Sequence, residues 1–498
     1  MQVAIHVYNV NSQIIGYVEP EVQALLRNDL SYVVSGSVFS EYSKQGMWDG
    51  TKNLYNLRNQ TFPTGLLKRA LRALYACGYE VDLIDKRIKP EGKELTLKNV
   101  ELRDYQIDAV NELADKTRGL LMAATGSGKT VVLAGLLAKL GVKSLVVVPT
   151  TVLLTQTAER LENMLGVEVG MIGDGVHNVS DITVATFQSL TDSTDTKKRK
   201  FDPETGQWKT VGKKKVIVRE NMLEYLASIE CVISDETHHL LSASLQRVFE
   251  ACKNAYYRYG CSATPFSNRD EDVLIEASTG RVLKEITASY LIKAGWLSKP
   301  TIHLIPFKQK RGGEATTYAG LYKEKITDNE ERNDLLRRII EYRADKGDSV
   351  LVSVRYLEHG HTLYDMLVDK YGSDVVFVNS TVATKKLNET LQKLEKKEIK
   401  ICIGTSLINE GVNLPALNTL VMAGTPKSKI ATMQLVGRVL RKTEEKSTVD
   451  VYDIQDYNAK YFTSASKERY DIYCSEPEFV LQEDYMFNGD IELLDKNV

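Results

Sequence analysis

Residues 123–130 read Ala-Ala-Thr-Gly-Ser-Gly-Lys-Thr, a spacing suited to holding phosphate. The loop follows an apolar stretch, Gly119–Met122, and precedes a helix-like run, Val131–Leu140. That is the strand–loop–helix setting a phosphate-binding loop needs. Thr125, Gly126, Ser127 and Gly128 make the turn. Gly126 and Gly128 let backbone amides face phosphate oxygens, and the helix N-terminus adds partial positive charge. Lys129 is expected on the β- and γ-phosphates and the Thr130 hydroxyl on Mg²⁺. The first position carries Ala123 where the usual pattern has Gly. A second constellation, Cys231-Val-Ile-Ser-Asp-Glu-Thr-His238, is a short apolar strand ending in two carboxylates. Asp235 is expected to hold the metal through its water shell, and Glu236 to orient and deprotonate the attacking water. His238 lies close enough in sequence to sense the γ-phosphate.

Such groups need a scaffold, and the flanking pattern supplies one. From Glu101 to about Gly295, short apolar strands such as Ser144–Val148, Ile182–Ala185 and Cys231–Ser234 alternate with amphipathic helices. The alternation predicts a parallel sheet covered by helices. It resumes after Lys299-Pro300 with Ser349–Val354, Val375–Val378, Lys400–Ile403 and Thr419–Met422. The expected fold class is α/β: two tandem RecA-like parallel-sheet lobes, ATP between them, behind a small α+β N-terminal domain. The expected divisions are 1–96, 97–297, 298–457 and a helical tail, 458–498. Ala294–Pro300 is the expected hinge.

The chain has 498 residues, 43% hydrophobic and 26% charged, which suffices for several packed cores. Net charge is −2, so any basic surface for nucleic acid must be local. The six cysteines show no metal-site pairing, and most sit in apolar runs. They read as free thiols in a reducing compartment. No apolar run reaches membrane-spanning length and the N-terminus is no signal peptide, so cytoplasmic residence is expected.

Asp235-Glu236-Thr237-His238 resembles the DExH box of superfamily-two helicases and translocases, and further motifs fall in that family's order. Leu102-Arg-Asp-Tyr-Gln106 resembles the adenine-reading motif, which implies nucleotide contacts from Arg103, Tyr105 and Gln106. Val146–Leu154, Val184–Leu190 and Ser262-Ala-Thr264 resemble motifs Ia, Ib and III. Gly404–Pro415 resembles motif V, with Gly411 and Asn413 lining the cleft or the nucleic-acid groove; the family more often has Asp at the position of Asn413. Gln434-Leu-Val-Gly-Arg-Val-Leu-Arg441 matches motif VI. There the resemblance implies Gln434 at the nucleotide and Arg438 and Arg441 as arginine fingers, three apart on one helical face. It also implies strand-phosphate contacts from Thr150, Thr186, Gln188 and Thr405. In motif IV, Val354-Arg355-Tyr356 follows a buried strand, and the usual later Arg has no clear counterpart; Lys385 and Lys386 are the nearest basic residues.

Two segments lie outside the motor pattern. Residues 197–215 are strongly basic around a Pro203-Glu-Thr-Gly206 turn, with Phe201 and Trp208 flanking it. A β-hairpin is predicted, with Lys197, Lys198, Arg199, Lys200, Lys213, Lys214 and Lys215 on phosphates and Trp208 stacking on a base or wedging a junction. A solvated loop is the competing reading. The first 96 residues carry Gly46-Met-Trp-Asp-Gly50, Phe62-Pro-Thr-Gly-Leu66 and Gly78-Tyr79, which resemble the N-terminal domain of UvsW-type phage branch-migration helicases. Trp48 fits that resemblance or an ordinary core, and Lys68, Arg69 and Arg72 share a helix face that could meet duplex phosphates. These features imply an ATP- and Mg²⁺-dependent DNA helicase or translocase, expected as a monomer, acting on branched or forked DNA. An RNA helicase, a restriction-system motor subunit and an ATP-gated clamp are the alternatives.

Overall fold

The computed structural model describes residues 1–202, 207–266, 270–309, 315–379, 389–390, 392–394, 396–405, 417–426, 428–442 and 448–484; within 193–217 and at 429–430 it describes the backbone. Contacts divide the chain into two units, Met1–Met122 with Gly128–Glu285, and Ala123–Ser127 with Ile286–Val498.

The first unit carries an eight-stranded sheet. Ser144–Val148 is its most buried strand, pairing in parallel with Ile182–Thr186 on one side and Cys231–Asp235 on the other. A near-continuous apolar run is what a parallel strand buried on both faces requires. Next come Tyr257–Ser262 and then Arg118–Ala123. Register pairs Asp235 with Cys261, and Ser262 with Met122, so the carboxylates and the phosphate loop leave the sheet at the same, C-terminal edge. This is the edge where open α/β sheets bind ligands.

Residues 1–96 form a four-stranded sheet of their own, ordered Thr61–Pro63, Asn11–Ile15, Gln2–Val7, Glu80–Asp85. Its core is not closed on itself. Val273, Leu274 and Ala277, from the helix Val273–Thr279, belong to the same buried cluster as Ile5, Leu26, Phe62 and Leu74. The basic insertion forms an antiparallel hairpin, Thr191–Asp202 with Gln207–Val218, in which Phe201 opposes Trp208.

Among the described residues the second unit carries a seven-stranded sheet, with every described pairing parallel. Its order is Val375–Val378, Ile401–Gly404, Val350–Ser353, Thr419–Met422, Thr448–Asp456, Lys299–Phe307, Val480–Glu483. The tail departs from the helical expectation. A helix, Lys460–Cys474, is followed by the edge strand Val480–Glu483, which finds open hydrogen-bonding groups on Lys299–Phe307. The helix is anchored by Arg469, fully buried and bonded to the equally buried Asp453 at 2.8 Å. The expected hinge at Ala294–Pro300 is also structured, because the Trp296 N–H donates to the Leu291 carbonyl at 2.8 Å, Leu297 is buried, and Lys299 already opens a strand. Among the described residues all six cysteines are free, four buried and two, Cys77 and Cys474, exposed. No described helix is long and apolar enough to cross a membrane.

Candidate active site and strand-contact residues

The phosphate loop has the backbone its glycines predict. Gly126 and Gly128 sit at φ +86° and +78°, and the helix Lys129–Leu140 starts immediately after. A Cβ at Gly128 would lie 2.5 Å from the Gln106 side-chain nitrogen, so the glycine is needed for Gln106 to rest on the loop. Gln106 is buried, and its side-chain oxygen accepts the Arg103 N–H at 3.0 Å. Arg103 in turn donates to the Tyr105 hydroxyl at 3.2 Å. The three adenine-motif residues are thus one hydrogen-bonded group ending at the loop.

Glu236 is the hub of the site. It stands at φ +48°, a left-handed conformation rare outside glycine, and its N–H donates to Asp235 Oδ1 at 3.0 Å. Its Oε1 is 3.5 Å from Lys129 Nζ. Its Oε2 accepts from Ser262 Oγ at 3.3 Å and lies 3.5 Å from His238 Nδ1. Burial by itself would lower the Lys129 ammonium, but the charges of Glu236 and Asp235 outweigh it and hold the group above its ordinary value. Burial, reinforced by the Glu236 charge, pushes the Asp235 carboxyl up. Burial likewise takes His238 down to about 4, so the imidazole is neutral at pH 7. Ser262 matches motif III but carries no role from it. Its role follows from register: Cys261 pairs with Asp235, and the following Ser262 then reaches the Glu236 carboxylate at 3.3 Å.

The donor set fits Mg²⁺. Among the described residues there is no cluster of three metal-ligating side chains. Mg²⁺ keeps most of its waters and binds through one or two carboxylates plus substrate phosphates. Thr130, in the first turn of the loop helix, and Asp235, a carboxyl whose charged form burial disfavours, are the residues that would hold it.

In the second unit the helix Lys429–Val439 carries Gln434 and Arg438, both 9% exposed. The expectation that Arg441 shares a helical face with Arg438 is corrected. The helix ends at Val439, the Leu440 carbonyl accepts from Ser298 N–H at 2.7 Å, and Arg441 forms an antiparallel bridge with Leu297. Pairing with that segment pulls the chain out of the helix. Gly411 and Asn413 of motif V, and Lys385 and Lys386, lie outside the described residues.

The expected strand contacts fare unevenly. Thr150 caps the helix Thr151–Leu165, its hydroxyl accepting Leu153 N–H at 3.3 Å. Thr186 is corrected, because its side chain is buried and its hydroxyl is engaged with Ser189 at 2.7 Å, which removes it from a strand-facing surface. Gln188 donates to the Pro149 carbonyl at 3.1 Å. Thr405 follows the C-terminal end of Ile401–Gly404 and is buried. Lys197, Lys198, Arg199, Lys200, Trp208, Lys213, Lys214 and Lys215 take their places on the hairpin backbone; their side chains lie outside the described set. Arg69 pairs with Glu276 at 2.7 Å and stays 42% exposed. Trp48 is half-buried and donates its indole N–H to the Thr51 carbonyl at 2.8 Å.

The family described as type III restriction enzyme, res subunit, matches residues 99–267, and the helicase conserved C-terminal domain matches residues 331–443. The ATP-dependent DNA helicase uvsW of Enterobacteria phage T4 is 26% identical over 460 residues, covering 86% of each chain. The DNA 3'-5' translocase XPB2 of Sulfurisphaera tokodaii is 25% identical over 389 residues, 70% of this chain and 80% of that one. A solved fragment of a type I restriction HsdR subunit from Vibrio vulnificus aligns with a TM-score of 0.53 at 20% identity, over 76% of this chain and 68% of that one, which supports the fold. The two helicase domain matches follow in order, one on each of the two large sheets, and with the uvsW relative they support a UvsW-like superfamily-two helicase.

Proposed function

We propose that this protein hydrolyses ATP to move along and unwind DNA, and that its preferred targets are branched: forks and four-way junctions. The observation that carries the reading is the group formed by Lys129, Glu236 and Ser262 with Asp235 beside it, at the sheet edge where the glycine loop opens. Lys129 would neutralise the phosphates, Thr130 and Asp235 would hold Mg²⁺, and Glu236 would take the proton of the attacking water. Mg²⁺ supplies charge neutralisation as the γ-phosphoryl leaves. Arg103, Tyr105 and Gln106 would read the base; Gln434 joins them, and Arg438 and Arg441 would couple hydrolysis to movement.

DNA as the partner is supported by the helicase and translocase relatives. Preference for branched DNA is supported by the hairpin, which concentrates lysine and arginine around a paired Phe201 and Trp208, and by the N-terminal sheet docked on the motor. Positive charge follows phosphates, and an aromatic at a turn matters where paired strands must part. The test is steady-state ATPase and unwinding on single strands, duplex, RNA hybrid, forks and four-way junctions. Fastest unwinding on the branched substrates is expected. Equal rates on forks and blunt duplex would remove the branched-DNA assignment, and stimulation by RNA alone would replace DNA with RNA.

A further inference from the structure

Arg355 and Tyr356 follow the strand Val350–Ser353, and nothing in the ATP site uses them. Arg355 is exposed and ringed by tyrosines. Its guanidinium carbon lies 5.6 Å from the Tyr318 ring centre, 5.5 Å from Tyr322 and 5.6 Å from Tyr356. Nη1 also donates to the Tyr318 hydroxyl at 2.9 Å. Tyr322 is the mount: it is fully buried and its hydroxyl donates to the Gly424 carbonyl at 2.9 Å. Tyr356 stands edge-on to it at 4.9 Å, and Tyr461 stands edge-on to Tyr318 at 5.9 Å. The outer rings remain open to solvent, with Tyr318 at 39%, Tyr356 at 40% and Tyr461 at 57% exposure. The nearby Glu358 carboxylate is paired with Lys323 at 3.7 Å.

We propose that Tyr356 and Tyr461, with Tyr318 and Arg355 between them, form a base-stacking platform for a single nucleic-acid strand. The occupant follows from the chemistry. Rings fixed by a buried mount lose little entropy on stacking, every base offers a π-face, and a guanidinium among them suits a polyanion. The place is right as well. The Val354 N–H bonds the Gly404 carbonyl at 2.9 Å, which sets Arg355 beside Thr405 at the C-terminal edge of adjacent strands. This inference rests on the proposed helicase reading.

The full chain is titrated with an oligothymidylate and with the same strand carrying abasic sites, in DNA and RNA versions. The intact protein is expected to bind abasic strands about 5- to 150-fold more weakly for each stacked base lost. Tyr356→Leu and Tyr461→Leu should erase that ratio, while Tyr356→Phe and Tyr461→Phe keep it. Because the ratio is taken within one protein, a partly unfolded variant cannot imitate the result. DNA and RNA should behave alike, since stacking uses base faces. Strand-stimulated ATPase with equal affinity for normal and abasic strands would overturn the platform and leave the helicase reading standing. A ratio preserved in both Leu variants would overturn it too. No strand binding by the intact chain would overturn both.

Discussion

At the scale of single residues, Glu236 is the most constrained group in the site. Its left-handed backbone costs about 1–3 kcal/mol and persists only where the surroundings over-determine it. Asp235, Ser262 and Lys129 do so here. Glu236→Gln keeps the shape and loses the base, so nucleotide and DNA binding should survive while turnover falls by about 10²- to 10⁴-fold. Fluorescent-nucleotide binding together with ATPase rate checks this, and loss of nucleotide binding would make Glu236 structural. Ser262→Ala removes one hydrogen bond to the base, about 1 kcal/mol, and should lower turnover about fivefold at unchanged nucleotide affinity. An unchanged turnover number would show that Ser262 does not orient Glu236. Lys129, Asp235 and Glu236 were legible because their chemistry is written in short contiguous motifs. Ser262 was not, since its partner is set by strand register. Arg441 was misplaced for a related reason: its conformation is decided by Leu297, far away in sequence.

Elements were legible where burial is two-sided. Ser144–Val148 and Thr419–Met422 are strands over the expected residues, because a continuous apolar run admits little else in an alternating α/β chain. The edge strand Val480–Glu483 was missed, since an edge needs no such run and its burial is slight. Its neighbour helix depends on charge. Arg469 is held by Asp453 with both side chains fully buried, and Tyr473 donates to the same carboxylate at 2.8 Å. Asp453→Ala leaves a buried cation and should cost about 3–5 kcal/mol, whereas Asp453→Leu combined with Arg469→Met should cost less. Denaturant midpoints of the three proteins decide it, and equal losses would mean that packing, not charge, anchors the helix. A second buried group makes the unit acid-sensitive. Burial, with the Arg332 guanidinium adding to it, holds His359 down to about 3. Its folded pKa is below the unfolded value, so the unfolded chain binds the extra proton and stability drops as pH falls below about 6.5. At pH 5 the loss is about 2 kcal/mol, and it continues until the folded pKa is reached. His359→Gln should flatten that part of the stability–pH curve; an unchanged slope would place the proton elsewhere.

At the scale of the whole molecule, the sequence separates the first 96 residues by length and by the absence of a nucleotide motif, which conceals how they are held. Their core is completed by Val273, Leu274 and Ala277, a short distance along the chain from Ser262 and its bond to Glu236. The docking is intimate at one point, where a Cβ on Gly65 would lie 2.0 Å from the Glu276 carbonyl oxygen. No rotamer relieves a clash between Cβ and backbone, so Gly65→Val must lift the N-terminal sheet from its helix. The Arg69–Glu276 pair beside it is a poor substitute lever. Arg69 is 42% exposed, and exposed ion pairs contribute about 0–1 kcal/mol. Gly65→Val should therefore open residues 86–100 to limited proteolysis, while Arg69→Ala should leave the cleavage rate nearly unchanged. If the N-terminal sheet positions branched DNA, Gly65→Val should also depress junction unwinding well beyond its effect on single-strand-stimulated ATPase. The two rates falling together would mean that the sheet supports the motor itself through the helix Val273–Thr279. Junction unwinding at the wild-type rate, despite faster cleavage, would leave the basic hairpin as the remaining candidate for handling the branch.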